Sequence, residues 1–339
     1  GLKIFGPDGY KLSDELEAAV EREILSDAKP LAVSPDKIGK AYRIDDARGR
    51  YIEYAKQSLG PTDLSGLKLV VDCGHGAAYL LAPLIFKELG AKVTKLGVDP
   101  DGLNINAGVG ALHPEHAAQA VREQGADLGI SFDGDADRVI FTDETGATVS
   151  GDRVLTLCAL AMQTEGTLRG STMACTVMSN LGLHEAMRQA GVQVLTTPVG
   201  DRHVIEALRS GGYSFGGENS GHLIFADHAT TGDGILSALQ VLRIMKQKGA
   251  RLSDLAKAMH EYPQSLENLR IKSKPPLASL QHLQAAVQEA DATFGVQGRH
   301  LIRYSGTENK IRILVEHREA ATVVAWAQRF RTAVELDLA

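Results

Sequence analysis

Asp133-Gly134-Asp135-Ala136-Asp137-Arg138 places three carboxylates at alternate positions, directly before an arginine. Apolar runs at 126–132 and 139–142 flank this stretch, and both predict short buried strands. Carboxylates at this density repel one another unless a cation lies among them. Because alternate residues of an extended backbone point the same way, the three carboxylates can converge on one hard cation, either Mg²⁺ or Ca²⁺. The stretch therefore predicts a metal-binding turn between two strands.

Three other interpretations of the acidic stretch stay open. A solvated acidic turn would need no ligand. An EF-hand loop would place Glu144 at its twelfth position, but its sixth position should be glycine, where Arg138 stands, and its flanks should be helices. An aspartyl nucleophile of the D-x-D type would use Asp133 and Asp135 to form a phospho-aspartate.

Size and charge exclude several classes of protein. The 339 residues suffice for about two to four domains with full cores. A net charge of -6 argues against a general nucleic-acid binder. The three cysteines form no CxxC pair and are interpreted as reduced core residues. Since the longest apolar run, 154–162, is too short to cross a bilayer and no signal peptide is seen, we expect a cytoplasmic protein with no membrane partner.

The order of predicted elements indicates tandem α/β domains. A βαβ unit of a parallel sheet is predicted over 67–96, with its second strand at 92–96, and a second copy over 173–196. Ser131-Phe132-Asp133-Gly134-Asp135 finds an echo in Ser214-Phe215-Gly216-Gly217-Glu218, which favours an approximate duplication. The last part has predicted strands at 269–271, 300–304 and 310–316 and predicted helices at 277–290 and 320–334, so it is a small α+β domain. We expect mixed or parallel sheets and four parts: 1–58 as the remnant of a first domain, then 59–149, 150–262 and 263–339.

Two further loops carry polar groups. In Gly216-Gly217-Glu218-Asn219-Ser220-Gly221-His222, the alternating Glu218, Ser220 and His222 could face one ligand together, and their chemistry suits sugar hydroxyls. A hairpin turn with surface polar groups is the alternative.

Arg303-Tyr304-Ser305-Gly306-Thr307 offers a guanidinium, hydroxyls and free N–H groups, the parts of a phosphate cradle. It could equally be a plain hairpin turn.

Two arginines near these loops are less defined. Arg202 could reach a phosphate or pair with Asp201, and the sequence does not separate these possibilities. Arg312 is interpreted as a solvated strand residue.

The ordered set DGDADR, GGENSGH and RYSGTEN resembles the α-D-phosphohexomutase superfamily, and the resemblance runs the full length of the chain. The runs NINAGVGALHPE, TVMSNLGL, TPVGDRHV and TTGDGI are similar to its bacterial branch that acts on glucosamine phosphate. The resemblance implies four domains around a cleft, the last resembling the TATA-binding protein. It implies an isomerase that interconverts glucosamine 6-phosphate and glucosamine 1-phosphate through a phosphoserine and a bisphosphate intermediate, on the route to UDP-N-acetylglucosamine.

The resemblance also implies roles for individual residues. Asp133, Asp135 and Asp137 would hold Mg²⁺, with Arg138 offsetting charge beside them. Glu218 and Ser220 would hold sugar hydroxyls, and His222 would lie near the reacting oxygens. The residues for the non-reacting phosphate would be Arg303, Ser305, Gly306 and Thr307, with Arg202 as a further candidate. Lys3 matches the superfamily's general acid/base candidate.

One motif of the superfamily does not occur in these 339 residues: the serine loop, which reads like A-S-H-N-P. Because the chain opens on Gly1-Leu2-Lys3-Ile4-Phe5 without an initiator Met, we expect that an N-terminal part is missing. The hypothesis is a piece that keeps its metal and sugar-phosphate loops but cannot transfer phosphate. Homodimerisation would involve the first domain. The alternatives are a phosphomannomutase or phosphoglucomutase, and a non-catalytic sugar-phosphate-binding protein.

Overall fold

The structure is a computed structural model that describes residues 4–26, 33–305 and 308–338. In these ranges the α-helices are α1 Asp14–Leu25, α2 Ala47–Gln57, α3 Leu81–Glu88, α4 Pro114–Gln124, α5 Gly151–Glu165, α6 Leu181–Gln189, α7 Asp201–Gly211, α8 Gly234–Lys248, α9 Leu252–Leu255, α10 Gln281–Phe294 and α11 Ala320–Leu338. The strands are β1 Lys68–Asp72, β2 Lys92–Leu96, β3 Leu128–Phe132, β4 Val139–Thr142, β5 Thr148–Val149, β6 Thr172–Thr176, β7 Gln193–Thr197, β8 Phe215–Gly217, β9 Leu223–Phe225, β10 Gln264–Arg270, β11 Gly298–Tyr304 and β12 Lys310–His317.

The first sheet has the strand order β2-β1-β3-β4-β5. β1 pairs in parallel with both β2 and β3, whereas β3–β4 and β4–β5 are antiparallel. Every residue of β3 is buried, and Val70 of β1 packs in one apolar cluster with Val121 of α4. The antiparallel pair β3–β4 leaves residues 133–138 as its connection, so the acidic stretch is fixed between two core strands.

The second sheet repeats this plan in the order β7-β6-β8-β9. β6 pairs in parallel with β7 and β8, and β8 pairs antiparallel with β9. Residues 218–222 join β8 to β9 and therefore occupy the same place in this sheet as the acidic stretch does in the first. The tandem α/β arrangement expected from the sequence is confirmed, and the echo between the two loops marks equivalent hairpins.

The C-terminal sheet is wholly antiparallel, in the order β10-β12-β11. Helices α10 and α11 pack together and supply its aromatic core, in which the Phe294 and Trp326 rings meet edge to face at 5.4 Å. Phe330 is fully buried beside them. This is the α+β part predicted from the sequence.

Most predicted elements are present, and the misplaced boundaries have local causes. β10 was expected only at 269–271 but runs over Gln264–Arg270, because alternate residues of this strand are exposed and the apolar signal is weak. The helix predicted from Leu277 begins at Gln281, since a 3₁₀ turn over Leu277–Ser279 follows the proline pair.

The chain divides into two compact units. The first comprises residues 1–178 and 190–258 and contains the first two sheets; the second comprises 179–189 and 259–339. Helix α6 therefore belongs to the same unit as the C-terminal sheet.

Among the residues that the structure describes, no helix has both the length and the apolar character needed to cross a membrane. Cys73, Cys158 and Cys175 are buried reduced thiols, as expected.

A buried amide anchors α6 within the second unit. The Asn180 side chain donates to Tyr262 O at 3.0 Å and accepts from Tyr262 N at 2.9 Å and from Gly182 N at 2.9 Å. Asn180 is 3% exposed, so these backbone groups have little access to water. The Glu316 carboxylate continues the anchor by accepting from Leu181 N at 2.8 Å.

We expect Asn180→Ala to lower the free energy of unfolding of this unit by about 2–4 kcal/mol, because it strands several buried backbone groups. Urea unfolding followed by fluorescence measures it, since Trp326 is the single tryptophan of the chain and lies in the same unit. Gln189→Ala is the control. Gln189 is exposed on the same helix, and its side chain donates to the Glu185 carboxylate one turn earlier. Equal losses in the two variants would contradict the anchor.

Candidate active site

Three carboxylates meet in the turn between β3 and β4. One oxygen each of Asp133, Asp135 and Asp137 can be chosen so that all lie within 4.8 Å of one another. The backbone between them is a turn: Ala136 has φ +62°, and its N–H donates to Asp133 O at 3.1 Å. The predicted convergence is therefore found, but its predicted cause, alternation along an extended strand, is wrong. The turn gathers the side chains.

The charge of this turn is incompletely balanced. Burial, together with the negative charges of Asp137 and Asp135, raises the pKa of Asp133 to about 6, against the opposing hydrogen bond from Arg138 N at 3.0 Å. The Arg138 guanidinium is half exposed and lies 3.9 Å from Asp137 Oδ1. The three carboxylates offer only oxygen ligands, and their negative charges disfavour the ionisation of Asp133. Such a site is suited to a hard divalent cation.

Backbone hydrogen bonds from three segments fix the turn. Gly134 O accepts from Ala77 N at 2.8 Å, and Ala136 O accepts from Gly234 N at 2.9 Å. Val139 N, at the end of the turn, donates to Gly221 O of the β8–β9 connection at 3.0 Å. The acidic turn of the first sheet and the polar turn of the second are thus joined directly.

A cavity of about 290 Å³ lies beside the acidic turn. Asp135 and Asp137 line it, together with Tyr51 and Asp233. The Tyr51 hydroxyl donates to Asp233 at 2.8 Å, and the burial of Asp233 raises the pKa of its carboxyl above the ordinary value. Two of the three clustered carboxylates therefore border a space that a ligand could enter.

The β8–β9 connection separates the three residues that were expected on one face. Glu218 is 8% exposed and His222 is 1% exposed, whereas Ser220 is exposed. The expectation assumed an extended backbone, but Gly221 N donates to Glu218 O at 3.1 Å and closes a turn. Glu218 Oε1 accepts from Gly200 N at 3.0 Å, so this carboxylate also fixes the start of α7.

The His222 ring lies between the acidic turn and the start of α7. Its Nδ1 is 3.7 Å from Asp137 Oδ1, and its Nε2 is 3.7 Å from Asp201 Oδ2. Nothing in the sequence around Asp201 indicated this proximity, since the pairing of β6 with both β7 and β8 is what brings α7 beside the β8–β9 turn. The Arg202 side chain donates to Leu12 O at 2.8 Å and pairs with Glu17 at 2.9 Å.

The third predicted loop belongs to the second unit. Arg303 and Ser305 are described, whereas Gly306, Thr307 and the more distant Lys3 lie outside the described residues. Ser305 is buried, its N–H donates to Lys310 O at 2.9 Å, and its hydroxyl accepts from Glu308 N at 3.3 Å.

Arg312 is a residue of this loop region that sequence reasoning undervalued. Arg303 and Arg312 are direct partners across antiparallel β11 and β12. The Arg312 side chain is 35% exposed, lies 3.6 Å from Glu308, and its Nε is buried without a hydrogen-bond partner among the described residues. The interpretation as a simply solvated residue does not fit this burial. Counting register outward from the loop would have paired the two arginines.

Three models of one family match the chain. They are the phosphoglucomutase/phosphomannomutase α/β/α domain II over residues 49–146, α/β/α domain III over 150–262, and the C-terminal domain over 266–333. Among curated relatives, the phosphoglucosamine mutase of Geotalea daltonii is 49% identical over the whole chain and 75% of its own length. That of Sorangium cellulosum is 52% identical over the whole chain and 71% of its own length.

Solved structures show the same fold. A phosphoglucomutase/phosphomannomutase family protein from Burkholderia thailandensis aligns with a TM-score of 0.75 at 24% identity, over 96% of this chain and 70% of that one. An Aspergillus fumigatus N-acetylphosphoglucosamine mutase, solved with GlcNAc-6P and magnesium, aligns with a TM-score of 0.70 at 20% identity, over 89% and 68%. With three matched models and relatives about half identical along its whole length, the chain belongs to the phosphoglucomutase/phosphomannomutase family.

Proposed function

We propose that this chain carries the metal and sugar-phosphate sites of a phosphoglucosamine mutase, the enzyme that interconverts glucosamine 6-phosphate and glucosamine 1-phosphate. The observation that carries the proposal is the backbone-linked pair of turns: the acidic turn and the Glu218–His222 turn end equivalent hairpins and are joined through Val139 and Gly221. The names of the relatives, which are about half identical, support the same activity.

The metal in this proposal is Mg²⁺, held by Asp133, Asp135 and Asp137. Their oxygen-only donor set and the raised pKa of Asp133 fit a hard cation. When bound, Mg²⁺ would neutralise charge on the phosphoryl oxygens during transfer. Arg138 would add positive charge at the rim of the turn, and His222 would border the reacting group.

The sugar and its second phosphate would be held by the other two loops. Glu218 and Ser220 are proposed to bind sugar hydroxyls. Arg303 and Ser305, with Gly306 and Thr307, are proposed to bind the non-reacting phosphate, and Arg202 stays a candidate for the same role. Lys3 is proposed as general acid/base. We also propose that the chain divides into four parts: 1–58, 59–149, 150–262 and 263–339.

The arginine pair gives physical support to the phosphate cradle. Like charges directly opposite in an antiparallel sheet destabilise it, yet Arg303 and Arg312 face each other. A bound dianion would offset that repulsion and accept from the buried Arg312 Nε. We therefore include Arg312 among the phosphate-binding residues.

Mg²⁺ should raise the melting temperature more at pH 7.5 than at pH 5. The folded-state pKa of Asp133, about 6, exceeds its ordinary value of 3.8, so the metal-free folded chain retains a proton that the unfolded chain loses. This contribution to stability is present at low pH and is lost as pH rises through 6, where Mg²⁺ can restore it. Thermal unfolding with and without Mg²⁺ measures this.

Asp135→Asn should weaken Mg²⁺ binding about tenfold or more, because it removes one anionic ligand. Asp36→Asn, at an exposed position, is the charge-matched control and should bind as the original chain does. Calorimetric titration that gives the same affinity for both variants would exclude the acidic turn as the metal site.

Glucosamine 6-phosphate should bind this chain in the presence of Mg²⁺, and Arg303→Gln and Arg312→Gln should each weaken binding about tenfold or more, since each removes a charge-assisted hydrogen bond. Binding is the direct readout, because the superfamily's serine motif does not occur in these residues. Arg329→Gln, on α11, removes the same charge away from the loop and should have little effect.

Mannose 6-phosphate and glucose 6-phosphate are the comparison ligands in that titration. Tighter binding of either one would replace glucosamine phosphate with the phosphomannomutase or phosphoglucomutase alternative. Unchanged affinity in Arg312→Gln would remove Arg312 from the cradle and leave the rest of the assignment intact.

A further inference from the structure

His222 is a buried imidazole between two carboxylates. Its Nδ1 faces Asp137 of the acidic turn and its Nε2 faces Asp201 of α7, each at 3.7 Å. With 1% of its surface exposed, the ring has almost no access to water, and Nε2 has no hydrogen-bond partner among the described residues. Its orientation must therefore be set by its neighbours in the protein.

Gly232 limits the position of the ring from another direction. A Cβ atom added at Gly232 would lie 2.3 Å from His222 Nε2 and 2.4 Å from Cε1. Real Cβ atoms do not approach other atoms so closely, so the backbone of residue 232 packs directly against the imidazole. Packing restrains the ring plane, but a ring in this slot could still turn over and exchange its two nitrogens.

Lys11 holds the carboxylate that faces Nε2. The Lys11 ammonium contacts Asp201 Oδ2, the oxygen nearest to the imidazole. Both side chains are largely buried, at 19% and 24% exposed. Burial raises the pKa of Asp201, but the hydrogen bond and charge of Lys11 outweigh it and hold this pKa below the ordinary value. Asp201 is therefore an anion beside Nε2.

We propose that Asp201 and Lys11 are positioning residues, whose ion pair fixes the His222 ring so that Nδ1 is presented to Asp137 at the acidic turn. Only the purpose of this arrangement rests on the proposed function: the ion pair would keep the imidazole aligned with the phosphoryl-transfer site. An ion pair that lies outside the three loops would thus determine the geometry at the reacting centre.

A purely structural role is the competing explanation, because the same ion pair also ties residues 6–12 to α7. The chain offers a matched comparison. Asp8 and Arg209 form a second ion pair at 3.0 Å between the same two elements, and both side chains are about half exposed. This pair does not touch His222, so Asp8→Asn removes a tie of the same kind without removing a neighbour of the imidazole.

The test is nitrogen NMR of histidine-labelled, metal-free protein, with the His222 signals assigned by their loss in His222→Gln. In the original chain the two ring nitrogens should give well-separated shifts, as one fixed tautomer does. Asp201→Asn and Lys11→Gln should displace both signals well beyond their linewidth. Lys11→Arg, which keeps the cation, should restore them, and Asp8→Asn should leave them unchanged.

Gly232→Ala serves as a positive control, because forcing the ring aside must move the same signals. If Asp201→Asn and Lys11→Gln lower the melting temperature but leave the His222 shifts as they were, the pair is only a tie and the proposal is wrong. The readout needs neither Mg²⁺ nor sugar phosphate. Failure of the original chain to bind those ligands would overturn the proposed function and leave this result to be decided separately.

Discussion

Mutual repulsion among three carboxylates is the constraint on which the arrangement of the first unit depends. Left alone, Asp133, Asp135 and Asp137 would separate into water, yet the turn holds their oxygens within 4.8 Å. The structure opposes the repulsion with backbone hydrogen bonds: Ala77 N and Gly234 N donate to the turn, and Val139 N at its end donates to Gly221 O of the second polar turn. The free energy that holds the carboxylates together comes from burial of the flanking core strands. In β3, for example, every residue is buried.

The two α/β sheets share one plan, and this plan places two polar turns of different chemistry side by side. Both sheets end a parallel pair in an antiparallel hairpin, and each hairpin turn carries polar groups at the same place. One turn has gathered acids and the other a buried glutamate and imidazole. Because Val139 N donates to Gly221 O, the two turns are held in a fixed position relative to each other.

How much of this could be read from the sequence differs from feature to feature. The strands at 92–96 and 139–142 follow from local apolar patterns and recur with the same bounds, and so does the acidic cluster. The course of the backbone inside the turns could not be predicted, because alternating polar residues are compatible with an extended strand as well as with a tight turn. Burial of Glu218 and His222 was missed for this reason. The Lys11–Asp201 contact joins residues 190 apart, and only the folded sheet order brings them together.

Ala136 has a further consequence. A non-glycine residue at φ +62° costs about 1–2 kcal/mol relative to glycine, so the turn is locally strained even without a ligand. The same methyl group removes many conformations that a glycine would allow the unfolded chain, so less backbone entropy is lost when the turn forms. The strain is the cost of a turn that is already shaped before anything binds to it.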